Sequence, residues 1–142
     1  MHVQRIVTKP DPYESFRLAQ GYRVGDLLFI SGQAAYDDAG KIVSPGDFNA
    51  QAQLAFKNLE RALRAGGSSL RSIVKVTIFL TDMSYFSEIV KLRGEYFSAP
   101  YPADTIVEVS SLYSKDAMIE IEAIAVADEA AEQASTTHRR TP

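Results

Sequence analysis

Two hydrophobic rhythms alternate along the chain. Residues 22–24 and 27–32 are short apolar and β-branched runs separated by the turn pair Gly25-Asp26, and they read as two strands. Ahead of them, residues 1–18 are mixed, and Pro10 and Pro12 interrupt any helix. Asp37-Asp38-Ala39-Gly40 is a second turn, with room for a short strand at 41–43. Phe48, Ala52, Ala55, Leu59, Ala62 and Leu63 then follow helical spacing, with Asp47 as N-cap and Gly66-Gly67 as stop, so a helix is expected over 47–65. The β-branched run 72–80 reads as a strand. A second helix is expected from near Ser84, with Phe86, Ile89, Val90, Arg93, Tyr96 and Phe97 on or near one side. Phe86, Tyr96 and Phe97 are expected in the core, and Pro100 and Pro102 end the helix. Residues 105–110 and 117–127 complete the strands.

Strands, helix, strand, helix, strands is an α+β order: a single domain at 1–127 with a mixed sheet and two helices on one face. Residues 128–142 are small, polar and charged, and are expected to form a disordered tail. Apolar residues left over on the uncovered side of such a sheet point to an oligomer interface. The run Ile119-Glu120-Ile121-Glu122-Ala123-Ile124-Ala125 adds a chemical signal. Side chains alternate across a strand, so Glu120 and Glu122 share one face. Carboxylates are rarely buried unless paired, so that face is exposed, an interface or a site.

Composition narrows the function classes. The chain of 142 residues has no cysteine, which excludes disulfides, thiolate metal sites and a cysteine nucleophile. A net charge of −3 argues against a large nucleic-acid surface. No run reaches the length of a membrane span, and the N-terminus lacks the apolar core of a signal peptide, so a cytoplasmic protein is expected. No dinucleotide, P-loop, zinc or triad pattern occurs. His2 and His138 lie near the ends, and Lys75, on a strand, is a poor Schiff-base candidate.

Several ordered motifs carry a resemblance. Gly25-Asp26-Leu27-Leu28-Phe29-Ile30-Ser31-Gly32-Gln33 resembles the signature "VGN-x-x-x-x-SGQ". Gly66, Ser69, Leu70, Val74, Lys75, Thr77, Phe79 and Leu80 fall in register with a "G-x-S-L-x-x-V-V-K-x-T-x-F-L" segment. Thr81-Asp82-Met83, Glu95-Tyr96-Phe97, Pro102-Ala103, Val107-Glu108-Val109 and the closing 119–126 also match. The chain thus resembles the RidA (YjgF/YER057c/UK114) family over about residues 20–127. The resemblance implies a chorismate-mutase-like fold and a homotrimer with a central barrel-like core. It also implies small-molecule clefts between subunits and hydrolysis of reactive enamines or imines to ammonia and a keto acid, without cofactor or metal.

The same resemblance implies departures. The arginine that grips a substrate carboxylate is replaced by Asp104. Two like charges about 4 Å apart in a partly buried site cost on the order of 4 kcal/mol, so a carboxylate substrate would be repelled there. The family's tyrosine aligns with Leu18, or with Phe16 if the loop shifts. Its helix asparagine aligns with Val90, a common tyrosine with Arg93, and a frequent cysteine with Ile106. What remains is Ser31, Gly32, the backbone around Ile106, and Glu120, whose counterpart is linked to activating the attacking water. Arg93 and Arg17 are candidate replacement grips. Asp104 either receives a cationic or amine-bearing substrate or pairs with one of those arginines. Ser31 either positions a water or is a satisfied turn residue. Glu120 is either the general base or a structural carboxylate, and Glu122 fits a structural or interfacial ion pair. Two functions follow: a hydrolase of C–N substrates other than simple 2-imino acids, with water activated by Glu120, or a non-catalytic trimer that binds a small molecule.

Overall fold

The computed structural model describes residues 2–129. The turn at Gly25-Asp26 joins β2 (Gly21–Val24) to β3 (Leu27–Gln33) as an antiparallel hairpin in which Tyr22 faces Phe29. From β3 the chain crosses through α1 (Phe48–Ala65) to β4 (Ile73–Leu80), then through α2 (Phe86–Tyr96) to β5 (Ala103–Glu108). It returns as β6 (Ile119–Val126), which inserts between β3 and β4 and is antiparallel to both. A strand absent from the sequence reading, β1 (Val3–Ile6), adds to the edge by pairing with β2. The mixed sheet has the order β1-β2-β3-β6-β4-β5, with β4 and β5 the parallel pair. An α+β fold with both helices on one face is therefore what forms. Among the described residues, no helix is long and apolar enough to cross a membrane.

Alternation decides what each strand buries. On β6, Ile119, Ile121, Ala123 and Ala125 face the helices and are buried, while Glu120, Glu122, Ile124 and Val126 face the open side. The helix-side residues join Leu28, Ile30, Val76, Ile78 and Leu80 under Phe56, Leu59 and Leu63 of α1. Asp47 caps α1 by accepting from the Ala50 N–H at 3.0 Å. Removing that acceptor in Asp47→Ala is expected to lower stability by about 1 kcal/mol, read as a lower urea midpoint at constant slope.

The second helix differs in phase from the expected one. A 3-10 turn at Met83–Tyr85 precedes it, and the inward stripe passes through Tyr85 and Leu92 where Phe86 and Arg93 were expected. Tyr85 stacks on Phe48, Ile89 and Leu92 are buried, and Tyr96 stacks on Phe56. Phe97 is buried as expected, but Phe86 is 43% exposed and lies outside the core, its ring 5.7 Å from the Arg93 guanidinium carbon. Residues 41–43 form only a single bridge, Tyr36 to Ile42. The tail expected at 128–142, with His138, lies outside the described residues from 130 onward.

Candidate active site

Between Ile30 and Gln33, β3 carries one residue more than β6, since Ile30 faces Ala123 and Gln33 faces Ile121. This bulge falls on Ser31-Gly32 and turns the strand where Glu120 emerges on the open face. The Glu120 carboxyl carbon lies 2.6 Å from the place a Cβ on Gly32 would occupy. Only glycine lets the carboxylate come this close to the strand. Ser31 does not reach toward Glu120 through its hydroxyl, which donates to the Ala19 carbonyl at 2.6 Å, while its N–H donates to Gln20 O at 2.9 Å.

Glu120 and Gly32 form one side of a cavity of about 170 Å³ whose other walls are Tyr13, Phe16, Leu18 and Tyr113. Two loops supply these walls, residues 13–18 and the loop at Tyr113, beside Gly32 of β3 and Glu120 of β6. The Tyr13 hydroxyl donates to the Gly32 carbonyl and fixes the bulge. Its ring packs edge-on against Tyr36, whose hydroxyl donates to Gln33 in a buried network that extends through Gln20 to Thr8. Phe16 and Tyr113 meet edge to face at 5.9 Å, and the Tyr113 hydroxyl donates to Gly40 O at 3.1 Å. Gly40 has φ 84°, and a Cβ there would stand 2.8 Å from the Phe16 ring, so the turn that holds both aromatics requires glycine. Tyr13 and Tyr113 escaped the sequence reading. No local pattern marks them: Tyr13 comes from a loop far from Glu120 in sequence, and Tyr113 from the irregular loop that leads into β6.

Burial, and secondarily the neighbouring Glu122, raises the Glu120 carboxyl above its ordinary value of 4.5. Burial also raises the Tyr13 and Tyr113 hydroxyls and pushes Tyr36 up to about 12, so all three remain protonated donors at neutral pH. For stability the sign is definite. A group whose folded value is raised contributes fully below its unfolded value and loses that contribution as pH rises through the folded one. The ionised Glu120 therefore weakens the fold at neutral pH. Glu120→Gln is expected to raise Tm at pH 7–8 and to leave it unchanged near pH 4, as thermal melts across that range would read.

The other candidate residues lie apart from this cavity, except Leu18, which lines it. Arg93 and Asp104 stand on the helix side of the sheet and pair with each other as a fork, Nε to Oδ2 at 2.9 Å and Nη2 to Oδ1 at 3.0 Å. Of the two readings of Asp104, the pairing is the one present within this chain. Val90 is exposed and borders a hollow with Arg93 and Tyr101. The Ile106 side chain packs against the core. Arg17 has a left-handed backbone, φ 60°, where it ends the short turn Glu14–Phe16, and it is not among the residues lining the cavity. A wider hollow of about 290 Å³ lies on the open face between Phe29, Lys75, Thr77, Glu122 and Ile124.

Comparisons with known proteins agree with this fold. The family model described as Endoribonuclease L-PSP matches residues 8–127. A RutC family protein, y4sK of Sinorhizobium fredii, is 39% identical over 127 residues, covering 86% of this chain and 96% of that protein. A protein of Dermatophagoides farinae named 2-iminobutanoate/2-iminopropanoate deaminase is 32% identical, covering 89% and 98%. The crystal structure of RidA from an Antarctic Psychrobacter superposes with a TM-score of 0.78 at 34% identity, covering 87% of this chain and 98% of that one. On this family match and these identities, sustained over nearly the whole length of each relative, the chain belongs to the RidA (YjgF/YER057c/UK114) family.

Proposed function

We propose that this protein is a hydrolase of the deaminase type that adds water, activated by Glu120, to the electrophilic carbon of an imine or enamine-derived iminium. The observation that carries the reading is the Glu120 carboxylate, held against Gly32 in a cavity with no other charged lining residue. Desolvation makes it a stronger base than a surface carboxylate. The water oxygen bonds to the carbon while Glu120 takes its proton. The carbinolamine then collapses: that proton passes to nitrogen, ammonia or an amine leaves as the C–N bond breaks, and the hydroxyl proton returns to Glu120 as the carbonyl forms, to be released to solvent or to the departing amine. The relative named as a 2-iminobutanoate/2-iminopropanoate deaminase supports the reaction type. Asp104, paired with Arg93 at the place of the family's carboxylate grip, supports a substrate other than a simple 2-imino acid. A nuclease role gains no support from a cavity without lysine, arginine or histidine in its lining.

The assembly belongs to the same proposal. The open face exposes Val3, Tyr22, Leu27 and Phe29 side by side, apolar surface of the kind covered in oligomers. Three copies meeting through these faces form the homotrimer that the family implies, with its clefts between subunits. Sedimentation equilibrium at three times the chain mass is the expected result.

The reaction is tested by ammonia release and semicarbazide competition. 2-Aminoacrylate generated in place from serine by a dehydratase is compared with imines that carry no carboxylate. Acceleration on the latter, weaker on the former, is expected. Saturable binding with no turnover across the panel would replace this reading with that of a non-catalytic binding trimer.

A further inference from the structure

We infer that Tyr36 and Gln33 are positioning residues for Glu120: through one buried hydrogen-bonded chain they hold the Ser31-Gly32 bulge on which the carboxylate rests. The inference rests on the role proposed for Glu120 and extends it to two residues that do not line the cavity. The bulge is a place where the sheet does not hold its own backbone. Ser31 and Gly32 have no register partner on β6, where pairing stops at Ile30 and resumes at Gln33. Groups left out of a ladder need other partners. Side chains supply them here. Gln33 Nε2 donates to the Ser31 carbonyl at 3.0 Å, and the Tyr13 hydroxyl donates to the Gly32 carbonyl. The Gln33 amide is itself held on both sides. Its Oε1 accepts from the Tyr36 hydroxyl, and its Nε2 also faces Gln20 Oε1 at 3.4 Å. Gln20 Nε2 donates to Thr8 Oγ1 at 2.8 Å, and that hydroxyl donates to the Pro10 carbonyl at 2.9 Å.

The ends of this chain fix its direction. The Pro10 and Ser31 carbonyls can only accept, so Thr8 donates to Pro10 and accepts from Gln20. Gln20 then turns its Oε1 toward Gln33, whose Nε2 serves both Gln20 and Ser31. Gln33 Oε1 is left facing Tyr36, and only a donor satisfies it there. Tyr36 therefore closes the chain. Gln33, Gln20, Tyr36 and Thr8 are 0%, 2%, 5% and 7% exposed, so water does not replace a lost partner. All the bonds lie within one subunit, and the network is complete there. Glu120 registers the result. Its carboxyl carbon and Cγ crowd the site of a Gly32 Cβ at 2.6 and 2.8 Å, so a shift of the bulge changes the space in which the carboxylate sits. A displacement of about 1 Å in a reacting group costs up to roughly a hundredfold in rate.

The test follows the Glu120 carboxyl itself, by carbon NMR titration of the full-length protein labelled in glutamate, with Glu120→Gln identifying its signal. The titratable groups around it are Glu122 on its own strand and Tyr13 and Tyr113 from the two loops, while β4 places Phe79 beside it; the variants change none of these. Tyr36→Phe keeps the ring and removes the closing donor. Gln33→Met keeps the length of the side chain and removes the amide. Each is expected to let the bulge relax, turn the carboxylate toward water and lower its titration midpoint by about 0.5 or more in pH. Asp47→Ala, which weakens the fold at the start of α1, is expected to leave the midpoint where it is, so that lost stability alone is seen not to move it. On an imine that the wild type hydrolyses, both network variants are expected to lower kcat roughly tenfold or more with KM within about twofold. A midpoint unmoved in both variants, an equal shift in Asp47→Ala, or a shifted midpoint with kcat unchanged would each overturn the inference. Its failure is separable from that of the hydrolase. A wild type that hydrolyses no imine removes the reaction, while the shifted midpoint still reports that the network places Glu120. Hydrolysis that depends on Glu120 beside an unmoved midpoint removes the positioning role and leaves the reaction.

Discussion

Glu120→Gln is expected to lower kcat/KM for imine hydrolysis by roughly 10²- to 10⁴-fold, the usual contribution of a positioned general base. The amide keeps the shape and polarity of the side chain but accepts no proton from water at neutral pH. Because the same change relieves a buried charge, its activity loss comes with a rise in Tm, a combination that misfolding cannot produce. Gly32→Ala provides the second arm. Its methyl would sit 2.6 Å from the Glu120 carboxyl carbon and 2.8 Å from Cγ, so the side chain has to swing away. The displaced atoms are the end of a flexible chain, and Gly32 does not have a positive φ, so the fold is expected to survive while activity falls with that of Glu120→Gln. Combining the two changes is expected to cost little beyond either one, since both remove the same base. Full activity in Gly32→Ala, with Glu120 shown to be displaced, would sink the general-base role.

Asp104→Ala is expected to destabilise the protein by about 1.5–3 kcal/mol, the range for hydrogen bonds to charged groups. Its carboxylate takes two hydrogen bonds from Arg93, and both side chains are mostly shielded, at 16% and 24% exposure. Removing the acid strands a guanidinium that keeps the face of the Phe86 ring, 5.7 Å away at its centroid, as a weaker attraction. Replacing both members by apolar residues, as in Asp104→Leu with Arg93→Met, is expected to recover most of the loss, because no charge is then left unpaired. Urea unfolding of the wild type, Asp104→Leu, Arg93→Met and the double variant gives the coupling directly. Additive losses would show that the fork contributes nothing. The pair also bears on the charge reversal at this position. Asp104→Arg alone sets two guanidiniums against each other and is expected to destabilise the protein without creating a grip for a carboxylate. Asp104→Arg with Arg93→Asp keeps the fork in reversed order and is expected to restore stability.

Much of the fold was legible because its signals are local. Apolar spacing in 48–63 and the Asp47 cap needed no partner to be read, and α1 runs Phe48–Ala65. β1 was missed because Val3–Ile6 is four residues long and mostly exposed, and only pairing with β2 makes it a strand. The inward side of α2 runs through Tyr85, Ile89, Leu92 and Tyr96 and not through Phe86, Val90 and Arg93, because neighbouring helical registers both carry apolar residues here and packing against Phe48 and Phe56 of α1 selects one of them. The strand over 105–110 begins two residues earlier, at Ala103, because its start is set by parallel pairing with Lys75 on β4 and not by its own β-branched residues.

The α+β order and the emergence of Glu120 and Glu122 on one face of a strand follow from periodicity and alternation, which are properties of neighbouring residues, and the family follows from ordered motifs along the chain. The tertiary structure alone decided what surrounds Glu120. A one-residue bulge brings Gly32 under its carboxylate, and two loops carry Tyr13, Phe16 and Tyr113 around it. It also decided that Arg93 grips Asp104, since that fork depends on α2 bringing Arg93 within reach of β5. Register, bulges and packing between distant segments set these contacts, and none of the three is encoded in the spacing of adjacent residues.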